Sequence, residues 1–321
     1  TAKATYNILS GKTNVGKGLG ITNELNFTAA GELDNGYTWS YSMELDPNAV
    51  SSGTTGAAEN DDTKLTLSTP YGTVGVFISE GGLDVEDAAS QSVYARPTDM
   101  GDPSATEDNF TIDSYNNLQY HTPADLLPFG TSFKIAYAPN TSDTAPGSSG
   151  NNAGAVNQIS TSNNGANATE MQIKATPYDG LTIGASYFEF DGSGLAKSTQ
   201  EAESGAYYAT FATGPISVGY SKAYKAPFIA DGTSAARLTT VEDYDQTNYS
   251  IAFAASDALS VSYERETSEA NKINKTSVEQ ESDAVQVAYS MGGMTVALSH
   301  GSHDNVGSVS YTHLTLPTTT I

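Results

Sequence analysis

Between residues 81 and 109 the sequence places Asp84, Glu86, Asp87, Asp99 and Asp102 around a single basic residue, Arg96. Carboxylates gathered in this way can attract cations and set up a local field, but covalent chemistry needs a nucleophile or base beside them. None is evident. The chain has no Cys and only four His, which excludes disulfides, thiolate metal sites and a Cys nucleophile. His300, His303 and Asp304 are metal-ligating types, yet they fall in a predicted loop. Gly16, Gly18 and Gly20 lack the βαβ unit of a dinucleotide site, and Gly11-Lys12-Thr13 follows Tyr6 where a phosphate loop needs Gly. There is no Gly-x-Ser-x-Gly elbow. The expectation is a protein that is not an enzyme and carries no cofactor. Ca²⁺ or Mg²⁺ is the one metal chemistry its acidic loops would suit, and no Asp-x-Asp-x-Asp-Gly calcium loop is present.

The wider charge balance agrees. Fourteen Lys+Arg against 37 Asp+Glu give 14 − 37 = −23 over 321 residues. So acidic a chain is a poor ligand for nucleic acid, where Lys and Arg on phosphates carry the affinity. It is not a disordered acidic segment either: charged residues are 16%, and 19 Tyr with 10 Phe are too many aromatics for a chain that never packs. The start of the sequence lacks the basic and apolar regions of a signal peptide, as expected of a processed chain or a fragment. No run approaches the roughly 18 apolar residues of a transmembrane helix. A membrane-spanning barrel, which exposes only every second residue to lipid, would show no such run.

The elements that must position these residues are strands. In Tyr37–Leu45, Tyr37, Trp39, Tyr41, Met43 and Leu45 alternate with Thr38, Ser40, Ser42 and Glu44, the period two of a strand with one apolar and one polar face. The same alternation predicts strands near 2–9, 17–29, 37–45, 63–69, 73–80, 110–122, 131–139, 169–176, 181–189, 203–212, 216–225, 244–255, 259–264, 283–290 and 294–300. Short connections, such as Leu33-Asp34-Asn35-Gly36 and Thr69-Pro70-Tyr71-Gly72, carry Gly and Pro turn chemistry. They alternate with long polar ones near 46–62, 81–109, 140–168, 190–202, 226–243 and 265–282. An up-and-down array with all tight turns at one end and all long loops at the other is the habit of an outer-membrane barrel rather than of a soluble sandwich. The fold class is therefore all-β, a transmembrane antiparallel up-and-down β-barrel. Fifteen strands are visible, and an even count calls for sixteen. The tail Ser310–Ile321 puts Pro317 where the last strand should run, so residues 309–321 are expected to be a non-native tail and residues 1–308 the barrel.

The residues resemble the Gram-negative general porins, the alphaproteobacterial type in particular. The likeness rests on Lys3-Ala4-Thr5-Tyr6-Asn7, the hairpin of residues 23–45, Lys64–Phe77 and Tyr115–Pro123, and above all on the order of strands and loops over residues 1–308. It implies a sixteen-stranded homotrimer in the bacterial outer membrane, surrounded by outer-membrane lipid and lipopolysaccharide, and a loop after the fifth strand that folds inward to narrow the pore. Here that loop is 81–109.

With this parity the apolar residues face lipid and the polar ones face a lumen wide enough for water. The wall would then present Lys3, Lys64, Lys134 and Lys174, with Glu44 on the same side. The loop would present Asp84, Glu86, Asp87, Asp99 and Asp102, with Arg96 among them, and the two sets would create a transverse field. Tyr37, Tyr120, Tyr137, Tyr187, Tyr220, Tyr263 and Tyr289, at strand ends, fit an aromatic girdle. The function expected is passive diffusion of small hydrophilic solutes and ions, with a preference for cations. A substrate-specific channel is the nearest alternative, with Phe77, Phe188 and Phe190 on the lumen side as candidates for an aromatic slide. A secreted soluble β-protein, an adhesin or glycan-binding module, is the rival of another class.

Overall fold

The computed structural model describes residues 3–10, 19–21, 25–47, 58–99, 109–123, 125–139, 167–191, 198–227, 229–230, 241–272, 275–292, 294–306 and 309–320. The chain opens with β1 (Lys3–Ser10), β2 (Leu19–Ile21), β3 (Leu25–Glu32), β4 (Thr38–Pro47), β5 (Ala58–Thr69) and β6 (Gly72–Ile78). After the inward segment described below come β7 (Asn117–His121), β8 (Ser132–Ala138), β9 (Asn167–Tyr178) and β10 (Leu181–Asp191). β11 (Ser198–Gln200), β12 (Glu203–Thr213), β13 (Ile216–Ala226) and β14 (Ile229–Ala230) follow, β11 pairing with β14 as a small separate ribbon. The chain ends with β15 (Val241–Ala254), β16 (Leu259–Lys272), β17 (Lys275–Met291), β18 (Met294–Val306) and β19 (Val309–Thr320).

From β3 each strand of the main sheet pairs antiparallel with the next, and β19 pairs with β18 on one side and β1 on the other, while β1 pairs with β2. This is an up-and-down β-barrel. Fourteen strands, β3–β10, β12, β13 and β15–β18, run up and down in succession, and β1, β2 and β19 pair in the same sheet. Val309–Thr320, the segment set apart in the sequence, is β19. Pro317, which has no N–H to donate, falls within the register shifts of both of its ladders, between Leu316 and Thr318.

The tight turns follow from their sequence. In the β3–β4 turn Asn35 Oδ1 accepts from the Tyr37 N–H at 3.1 Å, and Gly36 takes a φ of 80° that a Cβ would strain. Several predicted elements differ; β18, for instance, runs on to Val306, so His303 and Asp304 lie in strand and not in a loop. The strand expected over 110–122 is strand only at Asn117–His121, because Phe110, Ile112 and Tyr115 leave the sheet and pack inside the barrel. The loop expected over 265–282 is mostly β16 and β17, which pair from Leu259–Tyr289 up to Lys272–Lys275. Both faces of that stretch are polar, so alternation could not reveal it.

The parity is inverted relative to a soluble sheet. Leu65, Val76, Leu118, Ile173, Tyr207, Val218, Ile251 and Val285 are exposed on the outside. Glu170, Ser186, Ser204, Ser221, Asn248, Glu264 and Gln286 are buried on the inside. Tyr137, Tyr187, Tyr249 and Tyr263 stand outward near the long-loop end, and Tyr71, Tyr178 and Tyr289 near the turn end. An apolar outer band between two aromatic rims is the surface of a barrel solvated by hydrocarbon. Above it, on the same outer face, Lys222 pairs with Asp245 at 3.5 Å and Arg265 pairs with Glu281, so charge begins where the apolar band stops.

Because Val218 is central in this band, Val218→Arg is expected to destabilise the barrel by about 2–4 kcal/mol, and Ser217→Arg, on the lumen side, by much less. Urea unfolding of barrels refolded in lipid vesicles measures both.

Candidate functional site

The candidate site is the lumen, and what shapes it is the segment between β6 and β7. This segment does not stay outside. It enters the barrel and crosses the inner wall from β9 to β17, held at each step by a wall side chain.

Its two ends meet at one carboxylate. Glu170 of β9, fully buried, accepts from the Leu83 N–H at 3.2 Å and from the Ile112 N–H at 2.8 Å, both on Oε2. Around this junction Leu83, Phe110, Ile112 and Tyr115 pack on Phe188, Phe190, Ala136, Ala138 and Ala168. The Phe188 and Phe190 rings meet edge to face at 4.7 Å between centroids, and Phe110 and Tyr115 close on Phe190 at 5.4 and 5.9 Å. Small Ala side chains on the inner face of β8 and β9 leave the space these rings fill. Asn117 Nδ2 donates to the Glu80 and Tyr115 carbonyls and ties the segment to β7.

Beyond the junction the backbone is satisfied by side chains, as a buried loop requires. The Val85 N–H donates to Ser186 Oγ at 3.2 Å, and Ser221 Oγ donates to the Glu86 carbonyl at 2.7 Å. Ser250 Oγ donates to the Ala89 carbonyl at 2.6 Å. Further on, Ser90 Oγ donates to Glu264 Oε2 at 2.6 Å, and the N–H groups of Val93 and Tyr94 donate to Ser262 Oγ and Gln286 Oε1 at 3.0 and 2.9 Å. Thr98 gives both its N–H and its hydroxyl to Glu266 Oε2, at 3.1 and 2.7 Å. Gly219 lies directly beneath: a Cβ there would come within 1.7 Å of the Ala89 carbonyl oxygen.

The predicted charges divide into three groups. Asp84 turns toward the wall at Ser186, and Glu86 toward the returning arm of the segment at Asn109. Asp84 accepts from Asn109 Nδ2 at 3.2 Å and Ser186 Oγ at 3.0 Å, and both Glu86 oxygens lie 3.1 Å from the Asn109 N–H. Burial raises the Asp84 carboxyl above the usual carboxylate range, and the hydrogen bonds it accepts offset this only in part. Asp87 and Asp99 stay half-exposed and clasp Arg96, Asp99 in bidentate fashion at 3.0 and 3.1 Å, with Glu266 at 3.4 Å on the inner side. Arg96 is thus a structural clasp with its head buried among carboxylates, and not a free cation. On the wall, Lys64 pairs with Glu80 at the root of the segment. Lys134 and Lys174 project from β8 and β9 with no acidic partner among the described residues, and Glu44 is half-buried on the inner face of β4. Asp102 and the side chain of Lys3 lie outside the described residues. Of the loop carboxylates expected to face the wall lysines, Asp84 and Glu86 accept hydrogen bonds that hold the segment, and Asp87 and Asp99 hold Arg96.

Glu170, Glu264 and Glu266, which hold the segment, were not among the residues singled out in the sequence. Glu170 and Glu264 share the inward parity of the wall lysines within predicted strands, and that parity was the available signal; Glu266 fell in the expected loop and had none. Phe188 and Phe190 do face inward as predicted, but they are spent on packing Phe110 and Tyr115 and form no open aromatic surface. Among the described residues no group of three His, Cys, Asp or Glu side chains is placed to hold a metal ion.

No protein-family model and no curated protein sequence matches the chain. Solved structures do. A porin refined at 1.8 Å resolution is 16% identical over 99% of this chain and 98% of its own, with a TM-score of 0.62. The chain has the porin fold. OmpF of Salmonella typhi, in complex with daunomycin, superimposes with a TM-score of 0.62 at 13% identity, over 99% of this chain and 96% of OmpF. Outer-membrane OmpT of Vibrio cholerae gives 0.63 at 11% identity, over 99% and 94%. At such identities it is the porin architecture that is shared.

Glu170→Ala would leave two buried N–H donors without an acceptor. It is expected to cost about 2–4 kcal/mol and to free the segment at both ends. Limited proteolysis, with cleavage between residues 80 and 116 appearing in the variant and not in the parent chain, checks this.

Proposed function

We propose that this protein is a diffusion channel of the bacterial outer membrane, passing small hydrophilic solutes and ions and preferring cations. The observation that carries the reading is the inward segment, latched across a polar lumen inside a barrel whose apolar face is outward. A barrel filled by its own side chains would block passage, and an open one of sixteen strands would pass solutes with little selection. A loop fixed part-way across the lumen narrows it and selects by size and charge.

The preference for cations is supported by the charge left facing the lumen. Around Arg96 the half-exposed carboxylates are those of Asp87 and Asp99 against one guanidinium, 1 − 2 = −1. The chain as a whole carries −23. A homotrimer in contact with lipid and lipopolysaccharide belongs to the same reading, and chemical cross-linking of detergent-extracted protein tests the trimer. A soluble β-protein is disfavoured by the outward row of large apolar side chains, which in water would aggregate. A substrate-specific channel loses its chief support with the burial of Phe188 and Phe190.

Reconstituted in a planar bilayer under a potassium chloride gradient, the protein is expected to give a reversal potential of cation-selective sign. Asp87→Asn with Asp99→Asn should move that potential toward zero. An anion-selective reversal potential in the parent chain would contradict the charge claim, and the absence of any conductance would contradict the channel.

A further inference from the structure

Seven Lys and Arg side chains lie among those the structure describes. Lys64, Arg96, Lys222 and Arg265 are ion-paired, with Glu80, with Asp87, Asp99 and Glu266, with Asp245 and with Glu281. Lys225 lies over the Phe110 ring, 4.7 Å from its centroid. Only Lys134 and Lys174 have neither an acidic partner nor a ring among the described residues, and they are neighbours. Lys134 stands opposite Gln172 and Lys174 opposite Ser132, so the two ammonium groups sit on the same inner face in diagonal register across β8 and β9.

Like charges in this relation repel, and a sheet that retains them without a carboxylate between gives up stability. In a chain of net charge −23 acidic residues are not scarce, yet the flanking inward positions are Gln172, Ser132 and His121. Gln172 is itself occupied, its Nε2 donating to the Leu83 carbonyl at 2.8 Å. The pair is placed where a solute would meet it. It lies on the turn side of the point at which the inward segment joins the wall at Glu170, and Lys174 is exposed. Two compact ammonium groups with three rotatable donors each suit a small oxyanion, held as a point charge between them.

We propose that Lys134 and Lys174 form an anion-binding step on the lumen wall, taking the oxyanion of small solutes that carry a phosphate or carboxylate group. The proposal rests on the channel reading and adds to it: a pore that prefers cations overall holds one station where an anion is met and passed on. Ser132 and Gln172 border the station and are neutral, so the charge of the solute is answered by the lysines alone.

Inorganic phosphate and acetate are the probes. Titrated into potassium chloride on the turn side of the reconstituted full-length channel, phosphate is expected to reduce the current saturably. Lys134→Gln with Lys174→Gln should raise the concentration for half-block by roughly tenfold or more, both charge-assisted contacts being lost. Lys64→Gln, whose lysine is already paired, should leave it unchanged. Block by acetate as strong as by phosphate would assign the station to carboxylates as well; block by phosphate alone would assign it to phosphates. No block by either anion, or block undiminished in the double variant, overturns the proposal while leaving a conducting channel. Absence of conductance in the parent chain overturns the channel and this inference together. Heat-modifiable gel mobility confirms that the variants fold, and phosphorus NMR line broadening of phosphate by the parent protein in detergent, lost in the double variant, gives a reading independent of current.

Discussion

The constraint on which the rest depends is the outward direction of the apolar face. Once Leu65, Val76, Ile173, Val218 and Ile251 point away from the axis, every alternate residue must point inward, and a barrel of this many strands is too wide for inward side chains to meet. Such a barrel is held by its ladders and by the medium outside, and its interior has no core of its own. Among the described residues, the core is the one that the segment after β6 carries in with it: Leu83, Phe110, Ile112 and Tyr115 against Phe188 and Phe190, and Val85 and Ala89 against Ala206, Tyr208 and Ala223.

That segment could not rest against the wall on apolar contacts alone. It is irregular chain, and each buried N–H and carbonyl needs a partner. The inner face meets the need with short hydroxyls and with carboxylates that accept two donors at once: Glu170 from Leu83 and Ile112, Glu266 from the N–H and hydroxyl of Thr98, Glu264 from the hydroxyls of Ser90 and Ser92. A carboxylate facing two or three donors recovers much of its lost hydration, while one donor removed leaves a costly group behind. The residues that narrow the pore are therefore also those that fix its shape.

Much of this was legible in the residues. Alternation located nearly all the strands, the Asn-Gly and Pro-Tyr-Gly turns set their direction, and together they pointed to the barrel. What alternation could not convey is where a chain goes when its period is two for another reason. Phe110 and Ile112 alternate as a strand would, yet they are the anchors of a loop. Along β16 and β17 the reverse holds: Arg265 and Glu281 point outward above the apolar band while Glu264 and Glu266 point inward, so both faces are charged and no pattern remains. The roles of the charges were harder still. Type and parity place Asp84 and Arg96 in the lumen, but only the contacts show that Asp84 is turned into the wall and that Arg96 is held by three carboxylates.

The central claim is that residues 79–99 and 109–116 lie inside the barrel against the wall. The absence of Cys from the chain allows it to be tested with one introduced pair. The Val93 N–H lies 3.0 Å from Ser262 Oγ, which keeps the two Cα atoms within about 7 Å, the upper end of the span of a disulfide. Under mild oxidation, V93C with S262C is predicted to form an intramolecular disulfide in nearly every molecule and to retain the conductance of the parent chain. Two free thiols, both open to maleimide after oxidation, would show that the segment lies elsewhere and would contradict the account.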